Sequence, residues 1–248
     1  MLVDTHCHFN TFSPGQRQEL ISSFPENYYL VDSSTNYESS LASTGLSGQH
    51  SFIYTSLGFH PFWGKEFTPV VVENYRKLIR EKEAIVAIGE IGLDYKAPIS
   101  LKEQEVILRE FIELAQETSL PLIIHHRLDS SPIFDILDDF FSSYEKIIFH
   151  CFSYSKEFLK KIVDKGGHAS FSLNILRRKE EIVASLKACP LDSLFLETDS
   201  PYMRIKSKPS TPFDVKQVYS HAAYIKEVEA QELEKKVFLN AQRVFGLK

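Results

Sequence analysis

Eight short apolar, β-branched runs, separated by charged stretches of helical length, restrict the fold more than any other feature of this sequence. They lie at Leu2–His8, Tyr28–Asp32, Ile53–His60, Ile85–Leu93, Leu120–His126, Lys146–Cys151, His168–Leu173 and Leu194–Thr198. Continuous apolar runs of this length predict strands buried on both faces. Eight of them alternating with helices in 248 residues predict a (β/α)8 barrel, an α/β fold, over a single domain spanning 1–248. No repeat, low-complexity tract or Pro/Gly/Ser-rich linker interrupts the pattern.

The intervening stretches support this reading. In SLKEQEVILREFIELAQETSL, Ser100 and Glu103 form a capping box, and Ile107, Phe111, Leu114 and Ala115 recur on one face. The final segment repeats that spacing with Leu233, Val237, Ala241, Val244 and Phe245. Further helices are expected at Gln16–Ser23, Tyr37–Gly45, Pro69–Glu83, Ile133–Ser142, Lys156–Lys165, Lys179–Lys187 and Asp214–Glu229. Such stripes face a core and carry no chemistry.

Barrels of this kind place their active sites at the C-terminal ends of the strands. Six of the nine histidines fall there: His6, His8, His60, His125, His126 and His150. Asp4, Glu90, Glu197 and Asp199 belong to the same ring of strand ends. Polar groups at the ends of apolar strands are unfavourable unless paired or coordinated. Imidazoles and carboxylates in this number suit divalent cations such as Zn, Mn or Mg. Side-chain alternation turns Asp4, His6 and His8 to one face. It turns the neighbours His125 and His126 to opposite faces, so only one of the two points at the barrel axis.

Composition narrows the function classes. The formal charge is −5, from 28 Lys plus Arg against 33 Asp plus Glu. Bulk charge therefore does not hold this chain to nucleic acid, and a polyanion must be met locally. No run approaches the roughly 18 apolar residues of a membrane span. The N-terminus lacks a signal-peptide layout. Three cysteines, Cys7, Cys151 and Cys189, form no disulfide framework and read as reduced thiols of a cytoplasmic protein.

D-T-H-C-H, G-F-H-P, G-E-I-G-L-D-Y, P-L-I-I-H-H-R, H-C-F-S, E-T-D-S-P-Y and the closing N-A-Q-R-V-F-G-L follow one another along the chain. In this order they resemble the motif series of the TatD-like metal-dependent deoxyribonucleases, of the amidohydrolase superfamily. The resemblance covers essentially the whole chain. It implies two divalent metal cations, Mg, Mn or Zn. His6 and His8 then correspond to ligands of the first metal, and Glu90 to the carboxylate shared by both. His125, chosen over His126 by the motif, and His150 correspond to ligands of the second. Asp199 corresponds to a ligand that also takes a proton from the attacking water. The implied activity is phosphodiester hydrolysis, as a 3′-5′ exonuclease on single-stranded DNA, with no membrane and no obligate protein partner. Two alternatives stand beside it: a carboxyl-ester or amide hydrolase on the same dinuclear site, D-aminoacyl-tRNA esters included, and a non-catalytic metal-binding protein.

Other residues carry weaker expectations. His60, Arg127 and Arg204 are candidate substrate contacts, since a guanidinium fork suits phosphate oxygens. Lys206 and Lys208 join Arg204 in the loop PYMRIKSKPSTP, which lacks the R-G-K-x-N-x-P run of the family. Phe62, Trp63, Tyr95 and Tyr202 can stack on bases or pack the rim. Glu197 and Asp4 lie one layer deeper than Asp199 and His6 and are expected to support ligands rather than bind metal. His126 is expected to face the helices.

Overall fold

The structure, a computed structural model, describes residues 1–128 and 132–248. Eight parallel strands pair in chain order: β1 (Leu2–Cys7), β2 (Tyr28–Ser33), β3 (Ile53–Leu57), β4 (Ile85–Asp94), β5 (Leu122–Arg127), β6 (Ile147–Phe149), β7 (His168–Phe171) and β8 (Leu194–Leu196). The helices α1 (Pro14–Ser23), α2 (Tyr37–Ser47), α3 (Pro69–Glu81), α4 (Leu101–Thr118), α5 (Ile133–Asp138), α6 (Lys156–Val163), α7 (Glu180–Ala188), α8 (Val215–Lys226) and α9 (Ala230–Phe245) alternate with them, in the (β/α)8 arrangement expected. Two residues on either side of a tight turn, β9 (Arg204–Ile205) and β10 (Lys208–Pro209), form a small antiparallel hairpin after β8. No helix among the described residues is long and apolar enough to cross a membrane.

The strands are shorter than their apolar runs at the C-terminal ends. His8, His60, His150 and Asp199 all lie just beyond the last ladder residue. β4 is the exception: all ten of its residues are buried, and it carries Glu90 inside the strand. The Ser100–Glu103 capping box forms at the start of α4, and its predicted stripe, Ile107, Phe111, Leu114 and Ala115, is buried.

The ladder runs from β1 to β8, and the seam between the two outer strands is closed by a different device. The buried Asp4 carboxylate accepts from the Thr198 amide (2.9 Å) and the Thr198 hydroxyl (2.6 Å). Thr5 Oγ1 donates to the Leu196 carbonyl at 3.0 Å. Above them, the Asp199 amide donates to His6 O (3.0 Å) and the His8 amide to Ser200 O (2.7 Å). Asp4 thus supports the site by joining β1 to the β8 end, not by bonding a ligand imidazole. Asp4→Ala should lower unfolding stability by about 2–4 kcal/mol in a denaturant titration, because it leaves the buried Thr198 amide unpaired and the seam open. A loss under about 0.5 kcal/mol would show that the two main-chain bonds close the barrel unaided.

His168 opens β7 far from the strand ends. Its Nε2 donates to Glu145 O at 3.1 Å, and Nδ1 has no partner. Burial, with Arg243 beside it, pushes the ring down to about 4. The unfolded ring takes its proton near pH ~6.5, so between about 6.5 and 4 the unfolded chain binds a proton that the folded chain refuses. Stability supplied by the neutral ring is present above about 6.5 and is lost as pH falls towards 4. His168→Gln should flatten the acid side of the stability-versus-pH curve by up to about 1.4 kcal/mol per pH unit over that window. Superimposable slopes for the two proteins would refute a neutral folded His168.

Candidate active site and metal centre

Glu90 is the centre of the strand-end cluster. Its Oε1 lies 3.4 Å from His8 Nε2, and its Oε2 lies 2.7 Å from His150 Nε2, 3.2 Å from His125 Nδ1 and 3.9 Å from His6 Nε2. Asp199 Oδ1 lies 3.4 Å from His8 Nε2 on the β1 side. The ligand atoms of His6, His8 and Asp199 converge within 4.8 Å of one another, as do those of His6, Glu90 and His150. Each of these side chains is buried or nearly so. The structure therefore assembles all six residues that the motifs singled out: His6, His8, Glu90, His125, His150 and Asp199.

Local geometry explains how neighbouring strands deliver them. A register irregularity in β1 between Asp4 and Cys7 lets His6 and His8 approach with Nε2 atoms 3.3 Å apart. Cys7 turns away and bonds the Val31 carbonyl. Asp199 sits in a left-handed conformation, φ +55°, which Asp tolerates better than most residues and which turns its carboxylate over the mouth. Gly92 has φ +152°, and a Cβ there would stand 1.7 Å from the His125 carbonyl oxygen. Only glycine lets β4 pass this close to the strand bearing His125.

The second nitrogen of each imidazole is also engaged. Ser33 serves two rings: its hydroxyl is 3.0 Å from His6 Nδ1 and its carbonyl is 2.9 Å from His8 Nδ1. Asp94 Oδ2 is 2.9 Å from His125 Nε2. Glu197 Oε1, bonded to the Cys151 amide, lies 3.6 Å from His150 Nδ1. Glu197 is thus a deep support, as its position in the strand predicts. Ser33 and Asp94 were not found from sequence. Asp94 could have been, since it shares strand parity with Glu90 in G-E-I-G-L-D-Y. Ser33 gives no signal in a serine pair on another strand.

Charge in this cluster is unbalanced in an informative way. Burial would lower His150, but Glu90 and Glu197 overcome it and push the ring up to about 10. Burial would raise Glu90, but the charge of His150 and the hydrogen bonds of His125 and His150 hold its carboxyl well below the usual range. A proton on His150 stands where the site calls for a cation. The donors converge, the far nitrogens are held by acceptors, and positive charge is favoured, so the residues fit divalent metal.

His60 differs from these ligands. Its Nδ1 accepts the Phe62 amide at 3.1 Å, and burial, with His125 beside it, pushes it down to about 3. The neutral ring therefore carries its proton on Nε2 and can donate but not ligate through that atom. A cleft of about 460 Å³ opens over the cluster, lined further by Phe62, Trp63, Arg127 and Tyr202. Arg127 donates to the His126 carbonyl at 2.7 Å. Arg204 is exposed on the β9–β10 hairpin outside this lining, bonded to Ser207 O, and Tyr95 is exposed outside it too. His126 faces the helices, packed against Tyr154 and Phe158.

A parallel barrel with histidines and carboxylates gathered at its strand ends defines a metal-dependent hydrolase scaffold. The family model described as TatD related DNase matches residues 3–246, and the chain belongs to that family. An uncharacterized metal-dependent hydrolase of Methanocaldococcus jannaschii is 32% identical, covering 98% of this chain and 96% of its own. The 3′-5′ ssDNA/RNA exonuclease TatD of Erwinia amylovora is 29% identical, covering 88% of each chain. The crystal structure of YJJV, a TatD homologue from Escherichia coli, superposes with a TM-score of 0.89 at 24% identity, over 100% of this chain and 98% of the other.

Gly92→Ala should lower unfolding stability by at least about 2 kcal/mol, through backbone strain and the collision with the His125 carbonyl. Denaturant unfolding measures it, and wild-type stability in the variant would mean that β4 and β5 are not held this close.

Proposed function

We propose that this metal-dependent hydrolase is a deoxyribonuclease that digests single-stranded DNA from its 3′ end, working as one barrel domain over residues 1–248. The observation that carries the reading is the convergence of four imidazoles and Asp199 on the two oxygens of Glu90. His6 and His8 would hold one divalent cation and His125 and His150 a second, with Glu90 between them. Mg, Mn and Zn all suit these donors. Such cations, when bound, supply an activated water and offset the charge of a phosphodiester.

The chain's own groups have these parts. Asp199, at the cleft mouth beside His8, takes the proton of the attacking water. Neutral His60 donates from Nε2 to a phosphate oxygen. Arg127 pairs its guanidinium fork with the same phosphate. Phe62, Trp63 and Tyr202 supply faces for the terminal bases. Arg204, with Lys206 and Lys208 on the rim hairpin, meets the strand further out. The name of the Erwinia amylovora relative supports both the nucleic acid and the direction. Three buried free thiols are in keeping with a reducing compartment such as the cytoplasm.

The test is a nuclease assay on 5′-labelled single-stranded DNA. Metal-stripped protein should be inert, and protein resupplied with Mg²⁺, Mn²⁺ or Zn²⁺ should give a ladder shortening from the unlabelled end. Asp199→Asn should lower the rate by about 10²–10⁴-fold, the share of a positioned proton acceptor. If protein that binds two ions leaves DNA intact but cleaves a D-aminoacyl ester, the substrate is a carboxyl ester and the nuclease reading is wrong.

A further inference from the structure

The four ligand imidazoles are backed in two chemically different ways. On the β1 side, His6 and His8 lean on neutral oxygens of one residue, the Ser33 hydroxyl and carbonyl. On the β5–β6 side, His125 leans on the Asp94 carboxylate at 2.9 Å, and His150 faces the Glu197 carboxylate at 3.6 Å. The Asp94 contact is built rather than incidental. Gln104, a buried polar residue of α4, holds the Asp94 main chain from both sides: its Oε1 accepts the Asp94 amide (2.8 Å) and its Nε2 donates to the Asp94 carbonyl (3.1 Å). The other carboxylate oxygen of Asp94 accepts the Lys96 amide at 2.7 Å. Held at both ends, the carboxylate has little freedom to leave His125.

A carboxylate behind a ligating imidazole fixes its tautomer, aims its free lone pair and makes it a stronger donor; a hydroxyl or carbonyl does the first two with less charge. We propose that the two cation positions are unequal by construction, with the His125/His150 position binding first and tightest because Asp94 backs it, and the Ser33-backed His6/His8 position exchanging its ion. The inference rests on the two-cation reading above. It makes Asp94 a positioning residue that acts through His125. It also makes the ion beside Asp199, at the open mouth of the cleft, the exchangeable one.

Two ions sharing Glu90 repel each other, so two affinity classes in the wild-type protein would not by themselves test the idea. The variants do. Mn²⁺ alone is titrated into metal-stripped protein by calorimetry, with bound ions counted by elemental analysis after gel filtration. Wild type should keep one ion through the column and lose the second. Asp94→Asn should weaken the first class by about 10–100-fold, the usual effect of removing such a partner, and leave no ion after filtration. Ser33→Ala should leave the first class within a factor of about three and weaken only the second, by the roughly fivefold of one neutral hydrogen bond. Gln104→Ala keeps the carboxylate but frees its backbone, and should weaken the first class less than Asp94→Asn does. Equal classes in wild type, or an Asp94→Asn effect confined to the second class, overturns the inference and leaves the two-cation reading intact. A protein that binds no Mn²⁺ at any concentration overturns both.

Discussion

The barrel closes between β1 and β8, and the site exists because of how it closes. The ordinary ladder ends at β8, and Asp4 takes its place, holding the Thr198 amide and hydroxyl from inside the wall. Two main-chain bonds above it then tie the residues that matter: Asp199 N to His6 O, and His8 N to Ser200 O. A carboxylate from the last strand end is thereby fixed beside two imidazoles from the first. Residues nearly two hundred positions apart become neighbours through a handful of short hydrogen bonds. Two of these come from a side chain buried among apolar groups, where a hydrogen bond left unmade is most unfavourable.

Within that closed ring Glu90 sets the electrostatics. A lone carboxylate this deeply buried would be costly, and so would the imidazoles around it. Together they stabilise each other, and the balance still leans towards wanting positive charge, as the upward shift of His150 to about 10 indicates. The supporting residues are as organised as the donors. Ser33, Asp94 and Glu197 each hold a far nitrogen or carry charge close to it, so the near nitrogens are aimed before any cation arrives.

The surface around this centre resolves an apparent conflict in composition. A chain of formal charge −5 does not attract a polyanion as a whole. The cleft concentrates its recognition instead, with Arg127 in the wall, aromatic faces from Phe62, Trp63 and Tyr202, and a basic hairpin outside. Affinity for a charged strand then depends on a few groups at short range rather than on a long-range field.

Much of this was legible in the chain. Periodicity alone specified strands, helices and a barrel, because burial on both faces of a parallel strand leaves an apolar run that no amphipathic helix reproduces. Polar residues at the ends of those runs marked the site, because nothing but pairing or coordination makes them tolerable there. The motif in which it stands, not alternation, selected His125 over its neighbour. Three things waited for the tertiary structure. Asp4 reads as one more polar residue facing the site, yet it joins β1 to β8, because only closure brings Thr198 to it. Ser33 reads as an ordinary serine, yet it holds two imidazoles, because β2 lies next to β1. Arg204 reads as a cleft residue, yet the turn at Lys206 and Ser207 folds it onto the rim hairpin. The sequence determined which residue types stand at which strand ends, a local property of period and chemistry. Which of them touch was decided by strand order, register and the closing of the seam, and these depend on contacts between segments far apart in the chain.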